Sequence, residues 1–133
     1  MKNKENAVKG YKNIILSVIF GLVVTTAFII IFAALMYFLE LDKSYSVVLA
    51  TVSVACGCFA TAYILAKKNK SKGFLSGMAV GGVAFALILL ISLIADKGAV
   101  GINTLFHFII FMLSGIIGGV MGINKAESTK YIK

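Results

Sequence analysis

Residues 14–39 read IILSVIFGLVVTTAFIIIFAALMYFL, 26 residues without a single charge. About 20 apolar residues suffice for a helix to cross a hydrocarbon core roughly 30 Å thick. The run exceeds the apolar stretch of a signal peptide, and no clean cleavage context follows it before Tyr45, so it is expected to stay in the chain. Working outward, Tyr45–Ala66 gives 22 uncharged residues and Gly73–Ala95 gives 23, and a last apolar run extends from about Gly101 to Ile123. None alternates polar with apolar, and each is about twice the length of a membrane strand, so helices are meant. The sequence therefore predicts an all-α membrane protein, a four-transmembrane-helix bundle, with spans near 14–39, 45–66, 73–95 and 101–123. The connections are short, so consecutive helices pair as two antiparallel hairpins. One integral membrane domain, residues 1–133, accounts for the whole chain.

Composition agrees. Hydrophobic residues are 60% and charged residues 14%, against about 45–50% and 25% in soluble domains. Lipid is the solvent that tolerates such an outer surface. The net charge is +8, and every cation is lysine, with no arginine. Nucleic-acid binding calls for a basic face on a folded domain, whereas these lysines sit only between apolar runs. Anionic headgroups suit them better, at about 1 kcal/mol per juxtamembrane lysine. The expected first partner is the bilayer, with no nucleic acid.

Eleven lysines fall in the N-terminal segment, the connection between the second and third spans, and the tail; Lys43 and Lys97 occupy the other two connections, beside Glu40, Asp42 and Asp96. The positive-inside rule then places both termini in the cytoplasm. A bacterial plasma membrane is the expected location. Asp42 or Ser44 is expected to cap the second helix and Ser71 the third. Cys56 and Cys58 lie two residues apart on a helix and point about 200° apart, which excludes a mutual disulfide or a shared metal.

Small residues recur at helical spacing in every span. Ser17, Gly21 and Thr25 mark the first, and Ser53, Gly57 and Thr61 the second. Gly73, Gly77 and Gly81 mark the third, and Ser114, Gly115, Gly118, Gly119 and Gly122 the fourth. Such stripes let backbones approach where lipid supplies no hydrophobic drive for association. They predict glycine-zipper packing in the half of the bundle nearest the termini. Bulky Phe28, Phe32, Met36, Leu89, Ile91, Phe106 and Phe111 are expected to spread the other half.

Among polar residues, His107 is the lone histidine, sharing a helical face with Asn103, Ser114 and Gly118. An inward ionisable group in a membrane is a functional candidate, and a polar site of Asn103, His107 and Ser92 is the candidate here. Its structural alternative is a neutral ring bonded to Asn103, Ser92 or a carbonyl. Glu40, Asp42 and Asp96 gather near the opposite surface, as loop charges and helix caps or as a ring at a pore mouth. No nucleophile–histidine constellation, nucleotide loop or metal-ligand cluster occurs, so no enzyme, cofactor or metal site is expected. No acid lies within a span, unlike proton-coupled exporters of this size.

The lysine-rich connection entering the third span as Ser71-Lys72-Gly73, with Gly77 and Gly81 behind it, is one recognisable part. The end of the fourth, Gly118-Gly119-Val120-Met121-Gly122-Ile123-Asn124, is another. Together with length and span count, these resemble the YrzE-like small four-span membrane proteins of Firmicutes. The resemblance implies a plasma-membrane protein and transfers no catalytic residue. The expected function is a non-catalytic membrane protein that binds or stabilises another membrane protein or assembles with itself. A small transporter or channel using His107, Asn103 and Ser92 is the alternative, and a holin-like pore former a third.

Orientation is tested by thiol labelling in a chain lacking Cys56 and Cys58. A cysteine at Lys70 should resist impermeant reagents in intact cells, while one at Ser44 or Gly98 should react. The reverse pattern would invert the topology.

Overall fold

The computed structural model describes residues 1–69, 72–95 and 101–132, with the side chains of Lys2, Ala7 and Ala95 left aside. Ser71, Lys70 and the segment holding Asp96, Lys97 and Gly98 lie outside the described residues. Four helices follow in order: α1 Lys2–Leu39, α2 Ser44–Asn69, α3 Gly73–Ala95 and α4 Ile102–Tyr131. All four are long and apolar enough to cross a membrane, and they pack as a bundle. α1 and α4 continue as helix through the charged segments at their outer ends, so each is longer than its apolar run.

Glu40 closes α1 in the left-handed conformation (φ 47°), its N–H reaching the Met36 carbonyl. Such a cap satisfies a carbonyl left open at the helix end. The start of α2 differs from expectation. Among the described residues neither the Asp42 nor the Ser44 side chain caps it; backbone bonds from Tyr45 N–H to Asp42 C=O (3.0 Å) and Ser46 N–H to Lys43 C=O (3.1 Å) tighten the turn.

Where the helices meet, side chains are nearly absent. On α3 and α4 the pairs are Gly73 with Gly119, Gly77 with Gly115, and Gly81 with Phe111. A Cβ built on Gly73 or Gly77 would run into the facing carbonyl, and one on Gly81 would sit 2.7 Å from the Phe111 carbonyl oxygen. These pairs fix an antiparallel register. The Phe111 side chain, 1% exposed, is the largest fully buried one among the described residues, while its backbone is what approaches Gly81.

α2 and α4 run parallel. Ser114 donates to the Ala55 carbonyl, Gly118 lies on the Phe59 backbone and Gly122 on that of Tyr63, a constant offset of 59 residues. α4 thus has two small-residue faces. Gly115 and Gly119 meet α3, whereas Ser114, Gly118 and Gly122 meet α2.

The α1–α2 contact uses a different device. Ser17, Gly21 and Thr25 on α1 match Ser53, Gly57 and Thr61 on α2 residue for residue, 36 positions apart. Gly21 faces Thr61, and Gly57 faces Thr25. Each threonine hydroxyl donates to the glycine carbonyl one turn earlier on its own helix, at 2.8 and 2.9 Å. Ser17 and Ser53, both fully buried, do the same to Asn13 and Leu49 at 2.8 Å. The hydroxyls therefore keep no unmet bond in an apolar setting. Asn13 and Asn69 meet at 3.5 Å where this interface ends.

α1 comes close to α2 alone; among the described residues its backbone approaches neither α3 nor α4, while α2 touches all three other helices. The bulky residues divide: Ile91 is 64% exposed and faces outward, Phe106 is 61% exposed along an open cleft, whereas Phe28, Phe32, Met36 and Leu89 are half-buried and Phe111 is buried.

Neighbouring glycines supply a test. Nothing lies within 4 Å of a Cβ built on Gly82. Gly82→Ala should raise stability in detergent by up to about 1 kcal/mol through helix propensity. Gly77→Ala should lower it by about 1–3 kcal/mol, because its methyl meets backbone that cannot move aside. Thermal unfolding of the two variants checks the opposite signs.

Candidate functional site

Because α1 holds to α2 only, a cleft of about 750 Å³ opens between α1 and α4, with α2 as its floor. α1 lends Val24 and Phe28. α2 lends a strip from Val47 to Ala60, and α4 the residues from Asn103 to Ser114. Val48, Val52, Ala55 and Ile110 make most of this surface apolar.

The polar groups gather at the end away from the chain termini. His107 points across from α4 to α2, its Nε2 lying 2.9 Å from Thr51 Oγ1. Its Nδ1 lies 2.6 Å from the Asn103 carbonyl of its own helix. That carbonyl can only accept, so in the neutral ring Nδ1 holds the proton and Nε2 accepts from Thr51. The same Thr51 hydroxyl lies 2.8 Å from the Val47 carbonyl. If the ring gains a second proton, Nε2 donates to Thr51 and the hydroxyl turns to Val47. The arrangement thus supports hydrogen bonding in either charge state.

Asn103 and His107 share this corner, but Asn103 serves through its backbone. Ser92 does not join them. It is exposed on α3 and does not line the cleft. The α3–α4 register carries it past the first residue of α4. Thr51 is the partner that sequence reasoning missed. The parallel α2–α4 offset of 59 sets His107 level with Val48, and Thr51 lies within one turn of that level; a threonine in a β-branched helical run is otherwise unremarked. Ser114, on the same wall, is bonded to α2.

Cys56 lines the cleft and Cys58 is buried, 5% exposed; both are free. Among the described residues no lining side chain is a carboxylate. Among the described residues no group of three or more His, Cys, Asp or Glu side chains is placed to hold a metal ion. Glu40 and Asp42 stand exposed at the α1–α2 turn. The packing glycines all lie on helix contacts outside this corner.

Four packed apolar helices define a multi-pass membrane protein. The chain belongs to the DUF3792 family, proteins of unknown function, which it matches over residues 11–122. That match takes in parts of all four helices. No curated protein and no solved structure matches the chain.

The His107–Thr51 contact should be measurable as a coupling. A double-mutant cycle of His107→Leu and Thr51→Val should return about 0.6 kcal/mol, and no more than about 1.7, as hydrogen bonds between membrane helices do. Unfolding in detergent of the four proteins supplies the value.

Proposed function

We propose that this protein is a non-catalytic membrane component that binds or stabilises another membrane protein or assembles with copies of itself. The observation that supports this reading is the placement of α1, which is packed along one side only. Ile15, Leu22 and Ile30, 59–64% exposed, are among the large apolar residues left on its other sides. A transmembrane segment of a partner can lie against that surface without disturbing the contacts among α2, α3 and α4. In the same reading both termini face the cytoplasm, on the strength of the eleven-to-two lysine distribution. The protein is then a YrzE-like member of a Firmicutes plasma membrane, with the glycine stripes packing as a zipper.

Transport remains the competing reading, because a histidine with partners in either charge state suits proton movement. The cleft argues against it. Its α4 wall runs only from Asn103 to Ser114, about 16 Å at 1.5 Å per residue, and no acid among the described residues lines it.

Purification in mild detergent, with the mass of the intact complex determined, should give a species heavier than one chain. A lone chain at all detergent concentrations would remove the assembly reading. Liposomes should show no pH-dependent flux. A flux present in the wild type and lost in His107→Gln at equal expression would install transport instead.

A further inference from the structure

We propose that the cleft between α1 and α4 binds one acyl chain of a bilayer phospholipid. The lipid comes from the leaflet at the end away from the termini, and its ester region meets the Asn103–His107 corner. Three observations converge on this occupant. The first is length. The α4 wall covers about 16 Å, close to the ~15 Å of one leaflet's hydrocarbon. The second is polarity along that length. Asn103 lies in the first turn of α4, where the helix enters the apolar layer. His107 and Thr51 follow about one turn deeper, and apolar Val52, Ala55, Phe59 and Ile110 form the remaining surface. A phospholipid has the same order, polar ester at the interface and chain toward the midplane. The third is access. The cleft is open-sided and lies within apolar helices, so a chain enters sideways from the bilayer.

The volume also fits a discrete site. About 750 Å³ falls among pockets of roughly 300–1,000 Å³ that bury a small ligand, mostly apolar with a few placed polar groups. A partner helix is the poorer occupant, since it needs a groove for about 20 residues across both leaflets. The corner supplies suitable hydrogen bonding. Asn103 is exposed and lines the cleft, and its carboxamide carries N–H groups of the kind that donate to an ester oxygen. This inference stands apart from the proposed assembly, because α1's outward sides are not used.

The experiment uses the full chain in liposomes containing a phospholipid with a photoactivatable group midway along one acyl chain. Adducts are mapped by peptide mass spectrometry. Adducts at Val48, Val52, Phe59 and Ile110 should exceed those at Ile19 and Leu90, on exposed helix faces, by about fivefold, the ratio expected from one net hydrogen bond. Val52→Trp fills the cleft from a position already 42% exposed and should erase the excess, while Ile19→Trp should leave it. Asn103→Leu should lower it by a similar fivefold factor and supplies the decision if Val52→Trp fails to fold. Equal labelling of all exposed faces would mean that lipid only surrounds the protein, and would overturn the proposal. So would an excess indifferent to both variants, or one seen with a free fatty acid and not with the phospholipid.

Discussion

Close approach of bare backbone is the constraint on which this bundle rests. Lipid tails are as apolar as leucine, so burying a side chain between membrane helices gains little from leaving water. What remains is van der Waals contact, which falls steeply with distance. Gly115 and Gly119 on one face of α4, and Gly118 and Gly122 on another, let this helix lie directly on α3 and α2. Removing side chains at these positions brings many backbone atoms into contact at once. At the other end of the α3–α4 contact the facing backbone is that of Phe111, lying against Gly81.

The α1–α2 contact solves the same problem by another route. Threonine hydroxyls, not carbonyls, occupy the space over the glycines, and each is bonded back to its own helix. The matching serine, glycine and threonine positions give the pair an approximate two-fold relation, with each helix presenting the same surface to the other. That contact is the whole of α1's close attachment to the bundle. The cleft follows directly from it. A helix held at one seam leaves space beside the seam, and His107 and Thr51 border that space.

The number of helices and the apolar part of each were legible because charge-free runs of more than 20 residues have few other physical meanings, whereas the helical extensions of α1 and α4 through charged segments were not. Individual small positions were legible for a similar reason. Which helix each stripe faces was not. Gly115 and Gly118 are three residues apart, a rotation that sends them to different neighbours, and one-dimensional spacing does not say which neighbour stands where. Ser92 was grouped with His107 without the α3–α4 register, which carries Ser92 past the start of α4, and Thr51 is the side chain that meets the ring. One bulky residue misled: Ile91 suggested a filled half, although a large apolar side chain is equally at home against lipid. Polar side chains carry more information, because each needs a partner and few are within reach.

The two faces of α4 also bear on the order in which the bundle is completed. The α1–α2 seam is local in sequence and needs only the first two helices. α3 touches α2, yet its glycines find their facing backbone in α4, which is made after it. Until α4 arrives, the Gly73–Gly77–Gly81 face has lipid where a helix should be. The first hairpin is therefore a finished unit early in biogenesis, while α3 is an open template that α4 closes. An interruption of synthesis before Gly115 would leave in the bilayer a chain with its first seam intact and its central contacts unmade, the kind of exposed transmembrane face that membrane quality-control proteases can distinguish from the complete protein.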